Sequence, residues 1–541
     1  MTVAEKILNL RKNSGLSQEA FAQKLGVSRQ SVSKWESGSA VPDIDKIVGM
    51  SEIFGVSTDY LLKDDEAQPS CSSSDDTAEI PVIAPANEIA EQNQTSTERK
   101  RERKKPSVKA VVACVLALCI IVTAIGVPVH FGGIKETWWA INGGKIDYPY
   151  VLVHGLGGWG EGSGINGAVQ YWGATSGNLV TYLESEGYEV HAPSVGPVSS
   201  AWDRACELYA QLTGTTVDYG EAHSKEHNHA RYGRTYTQPL VENWGEKLNG
   251  GQRQKINLIG HSFGGATVRL LTSLLEYGSE AEQAVGGEIS PLFEGGKGDW
   301  VNSITTLCAP HNGSSLINVM ESIGSVAGVE NTTDMIAKLC FIAAGVAEPA
   351  DGVYDFMLDQ FGIGKVEGDL VDEAIEKVTK AGNDHAGYDL SPDGAAELNK
   401  TIKVVEDVYY FSYAYSTTQA GTILGGQVPK LSTLIVLQPT ALAMGSYKGT
   451  TKGGIVIDES WQENDGLVSV ISAKKPTNDE GIELEYDVTK TEDVKDIERG
   501  VWYISPTKDG DHGTVIGLGG TTEKTNAFYI DLFTLVDSLK R

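Results

Sequence analysis

The sequence is poor in cysteine, and its cysteines show no pairing pattern. Six occur in 541 residues, none in a C-x-x-C pair: Cys71, Cys114, Cys119, Cys206, Cys308 and Cys340. A disulfide framework needs a dense set in a short chain, so we expect isolated buried thiols. An early apolar run is also missing, because charges occur throughout the first residues, and we expect no secretory signal there.

Positive charge is scarce relative to negative charge. The chain has 44 Lys and Arg against 72 Asp and Glu, a net charge of -28. Such a balance argues against broad nonspecific binding to nucleic acid or anionic lipid. The length and the 40% hydrophobic content nevertheless allow several domains with a sizeable core.

The first part of the chain changes character near residue 65. In residues 1–65, large apolar residues recur at helical spacing, which predicts a small all-helical domain. Residues 66–107 are rich in Ser, Asp, Glu, Thr, Gln and Pro, and this composition predicts a disordered linker. The linker ends in a dense basic cluster, Arg99–Lys105.

Residues 108–131 form a long apolar run. Between Ala110 and Phe131 there is no Asp, Glu, Lys or Arg, and roughly 20 apolar residues suffice for a helix to cross a bilayer. We therefore expect one transmembrane helix, with the basic cluster and the N-terminus in the cytoplasm and the rest outside. A long buried helix is the alternative, but it fits poorly with the polar linker and basic cluster before it.

Residues 146–541 alternate between strand-like and helical segments. The strand-like runs include Tyr150–His154, Ile256–Gly260, Val301–Ala309 and Val408–Tyr415. This alternation predicts an α/β domain with a mainly parallel sheet flanked by helices.

The segment around Ser262 carries the clearest chemical signal. Gly260-His261-Ser262-Phe263-Gly264 follows an apolar strand-like run and precedes a helical pattern. A G-x-S-x-G turn between a strand and a helix presents the serine hydroxyl as a nucleophile, as in α/β-hydrolases. We therefore predict an α/β-hydrolase fold with Ser262 as its nucleophile.

A serine nucleophile needs a base, an orienting carboxylate and donors for the oxyanion. In this fold the order along the chain is Ser, Asp, His, which favours Asp465, just beyond a probable strand, and His512 in a glycine-bearing loop. The predicted oxyanion donors are the backbone N–H groups of Phe263 and of Leu156, in the glycine-rich turn after the first strand.

Beyond these motifs, residues 148–541 resemble the zinc-containing bacterial lipases of the thermoalkalophilic bacillus group, with staphylococcal lipases as relatives. The matching stretches are spread across the domain: His154–Gly160, Tyr171–Gly173, Trp202–Glu207, Val217–Gly220, Ala230–Tyr236, Ser290–Gly296, Tyr354–Phe356 and Tyr388–Ser391. The resemblance implies lipase activity on lipid or ester substrates and the same triad, Ser262, Asp465 and His512.

The resemblance also bears on metals. His223, His227 and His229 suggest a metal site by their spacing, which does not choose between the last two. The resemblance implies a structural Zn²⁺ site formed by Asp203, His223, His229 and Asp384. It further implies a Ca²⁺ site after the catalytic histidine, but Thr514 and Gly519 offer no anionic oxygen there, so we expect calcium binding to be absent or altered.

A helical lid over the active site is a further implication of the resemblance. Residues 318–350 include apolar runs suited to a segment that opens on a lipid surface. An ordinary core helix is the alternative for these residues.

Residues 5–62 resemble the Cro-like, XRE-type helix-turn-helix domains through the runs Leu16–Ala22 and Gly26–Glu36. The resemblance implies that a helix at about 28–37 enters the DNA major groove, with contacts from Gln18, Arg29, Gln30 and Lys34. Residues 1–60 hold seven Lys or Arg and seven Asp or Glu, so nonspecific DNA affinity should be modest. A homodimer would suit paired half-sites, and a repressor-like fold reused for protein contacts is the alternative.

Three functional hypotheses follow, the first two from different classes. The first is a membrane-anchored carboxylic ester hydrolase, in particular a triacylglycerol lipase, fused to a cytoplasmic DNA-binding module. The second is a membrane-bound one-component transcriptional regulator whose outer domain senses lipid or ester. A third is an enzyme that the helix-turn-helix merely tethers to a cytoplasmic partner. The complete set of triad residues favours the enzyme.

Overall fold

The computed structural model describes residues 3–56, 148–327, 355–363 and 377–539, with short gaps inside these ranges. The chain divides into two units, Met1–Arg101 and Glu102–Arg541. The predicted linker and the apolar run at 108–131 lie outside the described residues, as does most of the predicted lid. No helix in the described ranges is both long and apolar enough to cross a bilayer.

The N-terminal unit is helical, as its apolar spacing predicts. Its described helices are α1 (Val3–Asn13), α2 (Gln18–Leu25) and α3 (Ile44–Phe54). Their apolar faces meet in one small core, made of Ile7, Leu10, Phe21, Ala22, Leu25, Val32, Trp35, Ile47 and Met50. A buried ion pair between Arg11 and Glu36 joins α1 to the segment that contains Trp35.

The second unit is built on a seven-stranded sheet in which every pairing is parallel. Its strands, in chain order, are β1 (Tyr150–Val153), β2 (Val190–His191), β3 (Ile256–His261), β4 (Val301–Leu307), β5 (Tyr409–Tyr413), β6 (Gly481–Glu483) and β7 (Trp502–Ile504). Their spatial order is β2-β1-β3-β4-β5-β7-β6. This arrangement confirms the predicted parallel α/β domain.

Helices cover both faces of this sheet. The described ones are α4 (Leu179–Ser185), α5 (Ala201–Thr213), α6 (Glu221–Glu226), α7 (Gly264–Tyr277), α8 (Glu280–Val285), α9 (Ser315–Ala327), α10 (Ala386–Asp389), α11 (Pro392–Thr401), α12 (Gln438–Ser446), α13 (Val470–Lys474) and α14 (Thr522–Asp537). Short strand pairs lie outside the sheet at Thr216–Asp218 with Tyr232–Thr235, Thr418–Ala420 with Gln427–Pro429, Gly449–Thr450 with Val456–Ile457, and Tyr415–Ser416 with Lys508–Asp509.

The two faces of the sheet carry two separate apolar cores, because successive side chains of a strand point in opposite directions. In β1, Val151 and Val153 belong to the core that includes α5 and α7. Tyr150 and Leu152 belong to the other core, which includes α4 and α14. Strands that are buried on both faces consist of nearly continuous apolar residues, so these strands could be predicted from the sequence.

Two of the six cysteines lie in the described ranges. Cys206 and Cys308 are both free and buried, as predicted. The other four lie outside the described residues.

Candidate active site and metal centre

Ser262 occupies a sharp turn between β3 and α7. Its φ of 55° is a left-handed conformation that a side chain rarely adopts, and its N–H donates to the carbonyl oxygen of Leu307 at 2.8 Å. A Cβ added at Gly264 would lie 2.2 Å from the oxygen of Val153, so this position needs glycine. The serine is 9% exposed. Close packing at this turn explains the strained backbone that presents the hydroxyl.

Asp465 and His512 come together across 47 residues of chain. His512 Nδ1 lies 2.8 Å from Asp465 Oδ2, and the His512 N–H donates to the carbonyl oxygen of Asp465 at 2.8 Å. Asp465 Oδ1 accepts two further bonds from the N–H groups of Leu467, at 2.9 Å, and Val468, at 2.7 Å. A carboxylate held in this way orients Nδ1–H toward itself and leaves Nε2 of His512 as a proton acceptor.

The prediction that Asp465 lies just beyond a strand is wrong. The preceding regular element is a short 3-10 helix, Glu459–Trp461, and Asp465 lies in a loop closed by an isolated bridge between Asn464 and Ser469. Asn464 Oδ1 accepts from the Gly466 N–H at 2.9 Å. Side-chain oxygens here satisfy the backbone donors that a neighbouring strand would otherwise satisfy.

His512 lies beside the strand end that carries the serine. The rings of His261 and His512 are 4.9 Å apart between centroids, and His261 immediately precedes Ser262. Among the described residues, Ser262 Oγ has no hydrogen-bond partner. The hydrogen bond between a catalytic serine and its histidine is often long before substrate binds, and rotation of the Ser262 side chain changes the distance between its Oγ and His512 Nε2.

The two predicted oxyanion donors lie in two different turns: Leu156 in the turn after β1, and Phe263 directly after Ser262. No described carbonyl or side chain accepts a hydrogen bond from the N–H of Leu156 or of Phe263. The Phe263 N–H lies at the start of α7, where helix donors lack internal acceptors. A Cβ on Gly155 would approach the Ser262 Cβ to 2.6 Å, so the loop that carries Leu156 packs directly on the serine.

The four predicted metal ligands form one compact cluster, although they come from three separated stretches of chain. One ligand atom from each of Asp203, His223, His229 and Asp384 lies within 4.8 Å of the others. Asp203 Oδ1, His223 Nε2, His229 Nε2 and Asp384 Oδ2 are buried without a well-aligned hydrogen bond among the described residues. They face one another instead, with His223 Nε2 3.3 Å from Asp203 Oδ1 and His229 Nε2 3.3 Å from Asp384 Oδ2. Buried polar atoms normally have partners, so four converging orphan atoms suit a bound cation.

Surrounding contacts orient these ligands. His229 Nδ1 donates to the Ala230 carbonyl oxygen at 2.9 Å, which leaves Nε2 with a lone pair for a metal. Gln360 donates to Asp203 Oδ2 at 2.7 Å, and the Trp202 ring stacks on His223 at 4.9 Å. His227 lies outside the cluster. Of the two histidines that spacing left open, His229 is therefore the one that joins the cluster.

The cluster has the electrostatics of a cation site. Burial lowers the pKa of His223, but the carboxylates of Asp203 and Asp384 outweigh it and raise the pKa to about 10. The carboxylates therefore favour positive charge at the centre of the cluster, although burial and the neighbouring Asp384 carboxylate raise the pKa of Asp203 itself. Two imidazoles and two carboxylates fit a four-coordinate transition metal better than calcium, which prefers oxygen ligands alone.

The positions considered for calcium have other partners. Thr514 Oγ1 donates to Asp511 Oδ1 at 3.0 Å, and the Gly519 N–H donates to Thr175 Oγ1 at 3.0 Å. The altered calcium site stays a prediction.

In the N-terminal unit, Gln18 is the only one of the four predicted DNA contacts among the described residues. Its Nε2 donates to Glu36 Oε2 at 2.8 Å, the carboxylate that also pairs with Arg11. This bond fixes the start of α2 against the next helical segment. Arg29, Gln30 and Lys34 lie outside the described residues.

Two contacts in the second unit were missed by the sequence interpretation. Gln360 supports Asp203, and Tyr171 and His261 are hydrogen-bonded to each other at 2.6 Å. Tyr171 and His261 occur in the recognised motifs, but nothing in sequence spacing pairs residues 90 positions apart.

Comparison with known families supports both units. Residues 146–539 match the family described as "Lipase-like, C-terminal domain", and residues 7–61 match a helix-turn-helix family. A lipase of Staphylococcus epidermidis is 33% identical over 389 residues, which are 70% of this chain and 51% of that protein. Lipase 2 of Staphylococcus aureus is 34% identical over 380 residues, 69% of this chain and 50% of that protein. The chain thus spans about half the length of the curated relatives it matches.

Solved structures agree with the family match. EstA from Clostridium botulinum superposes with a TM-score of 0.64 at 34% identity, over 81% of this chain and 99% of that one. Lipase 1 from Pelosinus fermentans gives 0.59 at 38% identity, over 73% and 100%. Because the family match covers far more than half of its residues, this chain belongs to the family with the lipase-like C-terminal domain.

Proposed function

We propose that residues 146–541 form a serine ester hydrolase that acts on carboxylic esters, including acylglycerols, with Ser262, His512 and Asp465 as its triad. The observation that carries this proposal is the Asp465–His512 hydrogen bond beside a serine in a left-handed turn. Family membership and the lipase names of the relatives support the substrate class.

The chemistry follows from the three side chains. His512 Nε2 takes the proton of Ser262 as Oγ attacks the ester carbonyl carbon, and the carbonyl electrons move to oxygen. When the tetrahedral intermediate collapses, the ester C–O bond breaks and His512 returns the proton to the leaving alcohol. Water then attacks the acyl-enzyme with the same base, which releases the carboxylic acid and restores Ser262. Asp465 stabilises the imidazolium at each stage.

The oxyanion of each intermediate lies against backbone donors. The N–H groups of Leu156 and Phe263 supply them, and fixed donors of this kind lower the barrier without having to reorient during the reaction.

A zinc ion fits the second cluster, and Asp203, His223, His229 and Asp384 would hold it. All four positions of a tetrahedral Zn²⁺ are then taken by protein, so the ion would stabilise the fold and would not activate water. The ion would cross-link α5 to the segments that carry His223, His229 and Asp384.

We also propose a membrane anchor at residues 108–131, which rests on the apolar run and the basic cluster before it. The hydrolase unit would then face outward and the helix-turn-helix the cytoplasm. Protease added to intact cells should digest the hydrolase unit and spare the first hundred residues. The reverse pattern would contradict this orientation.

A second function, operator binding by the first unit, is supported by its family match and its packed helical core. The unit would bind DNA as part of a one-component regulator or tether the enzyme to a partner, and a homodimer would suit it. Arg29→Ala and Lys34→Ala should weaken binding to a selected operator and leave ester hydrolysis intact. Selection from random duplexes that yields no sequence would oppose this function.

Hydrolysis of short- and long-chain esters by the parent and by Ser262→Ala, with metal analysis of both proteins, tests the main proposal. We expect hydrolysis only in the parent and equal zinc in both. Hydrolysis that is undetectable in the parent would favour the sensor function.

A further inference from the structure

A chain of hydrogen bonds passes beneath the candidate active site. The Gly155 N–H donates to Tyr171 Oη at 2.9 Å, and Tyr171 Oη lies 2.6 Å from His261 Nδ1. On the other side of the same ring, His261 Nε2 lies 3.0 Å from the carbonyl oxygen of His512. These contacts link three parts of the site: the loop that carries Gly155 and Leu156, here called the oxyanion loop, the turn of the serine, and the backbone of His512.

The direction of each bond is fixed by the partners. A carbonyl oxygen only accepts, so His261 Nε2 carries a hydrogen and donates to His512. Burial lowers the pKa of His261 well below its ordinary value, so the ring is neutral and Nδ1 is an acceptor. Tyr171 therefore donates its own proton to His261 while it accepts from Gly155. The same burial effect raises the pKa of Tyr171, which keeps this proton in place.

The oxyanion end of this chain is anchored by Arg204, which is fully buried. Its Nη2 donates to the His154 carbonyl oxygen. Its Nη1 donates to the Gly196 carbonyl oxygen at 2.8 Å, and its Nε donates to Thr267 Oγ1 at 2.9 Å. The carbonyl of His154 and the N–H of Gly155 belong to one planar peptide. Arg204 and Tyr171 thus hold that peptide from both sides.

The next peptide is held by the ring of His154. Its Nε2 accepts from the Val195 N–H at 3.1 Å, so Nδ1 carries the hydrogen and donates to the Gly155 carbonyl oxygen at 2.9 Å. That carbonyl and the Leu156 N–H share one planar trans peptide and point in opposite directions. The orientation of the Leu156 oxyanion donor is therefore set by the same network.

We propose that Tyr171 and His261 are positioning residues that keep the backbone of His512 in register with the oxyanion loop. This inference rests on the proposed hydrolase function. If the tyrosine hydroxyl is removed, the Gly155 N–H and His261 Nδ1 both lose their partner. The base and the oxyanion donor can then shift relative to each other, and shifts of the order of 1 Å reduce catalysis by about 100-fold.

The test compares Tyr171→Phe with Tyr150→Phe in the full chain. Tyr150 is a matched control, because its hydroxyl donates to Asp537 Oδ1 at 2.8 Å on the α14 side of the sheet. Tyr171→Phe should lower kcat by roughly tenfold or more with KM nearly unchanged. Tyr150→Phe should lower the melting temperature and leave kcat as in the parent. A Tyr171→Phe enzyme with the parent kcat, or a similar kcat loss in both variants, would overturn the proposal.

A second readout does not depend on activity. In ¹⁵N-histidine NMR spectra of Ser262→Ala, His261 should appear as the neutral Nε2–H tautomer, and its Nδ1 signal should move when Tyr171→Phe is added. An Nδ1–H tautomer, or an Nδ1 signal unchanged by the substitution, would contradict the network. If the parent fails to hydrolyse esters, the proposed function fails and the NMR result still decides whether the network exists.

Discussion

Replacement of Asp465 by asparagine should abolish most catalysis without unfolding the protein. The Leu467 and Val468 N–H groups donate to Asp465 Oδ1, so the asparagine oxygen should keep that place. Its NH₂ group then faces His512 Nδ1, which is 2.8 Å from the present Oδ2. An NH₂ donor forces the histidine proton onto Nε2, where it can no longer accept the proton of Ser262.

The magnitude follows from these two losses. A charge-assisted hydrogen bond contributes about 1.5–3 kcal/mol, and we take about the same amount again for the proton held on the wrong ring nitrogen. Because about 1.4 kcal/mol corresponds to tenfold in rate, kcat should fall by roughly 10²–10⁴. The equivalent change in serine proteases, about 10⁴-fold, lies at the upper end of this range.

The assay is steady-state ester hydrolysis at pH 7 with circular dichroism melting. Asp511→Asn is the matched control, because Asp511 precedes His512 but accepts bonds from Leu434, Gly513 and Thr514. We expect a small effect on kcat from Asp511→Asn and a large one from Asp465→Asn, with folded proteins in both cases. An Asp465→Asn enzyme that retains more than about a tenth of the parent kcat would refute the reasoning.

Three further predictions concern the metal cluster, the oxyanion loop and a buried carboxyl group. Loss of a residue that only supports a metal ligand usually costs up to about 100-fold in metal affinity. Because His229 is a proposed direct ligand, His229→Ala should lower zinc affinity by more than that, as measured by competition with a chelator. Gly155→Ala should lower kcat about 100-fold, because its Cβ would lie 2.6 Å from the Cβ of Ser262, the proposed nucleophile. Burial raises the pKa of Glu207 to about 8 from an ordinary 4.5, so its contribution to stability is complete below pH 4.5 and is lost as the pH rises through 8. In the parent, the denaturant concentration at the unfolding midpoint should therefore decrease between pH 4.5 and 8, and Glu207→Gln should make this decrease smaller.

Each of these predictions has its own contradicting result. His227→Ala removes a ring packed 4.6 Å from His223 but no atom of the cluster, so it should cost less than about 100-fold in zinc affinity. Equal losses in both histidine variants would remove the assignment. Gly520→Ala, whose Cβ meets its nearest atom at 3.4 Å, should keep kcat, so a loss there as large as at Gly155 would point to general disturbance. A Glu207→Gln protein with the parent pH dependence would show that this carboxyl is ionised in the fold.

Much of the second unit was predictable because its signals are local. The turn at Ser262 needs a buried strand, flanking glycines and a helix, all within one short stretch. The parallel sheet follows from apolar strands alternating with helices. By contrast, residues as distant as Asp203 and Asp384 were joined only through the family resemblance, since no local rule links positions so far apart.

Other features depend on tertiary contacts that a sequence does not encode locally. Asp465 was expected after a strand, but a 3-10 helix and Asn464 shape its loop instead. The Tyr171–His261 bond joins two motifs recognised separately, and its importance appears only when both ring nitrogens of His261 are given partners. Spacing also could not choose between His227 and His229, because the choice depends on which ring turns toward Asp384.

The most direct test of the central claim is peptide mass spectrometry after treatment with a fluorophosphonate, a reagent that labels activated serines. We predict one adduct on Ser262 in the parent, and its loss in His512→Ala, because the hydroxyl is reactive only when the imidazole accepts its proton. An adduct on another serine, or labelling of Ser262 that persists without His512, would contradict the account.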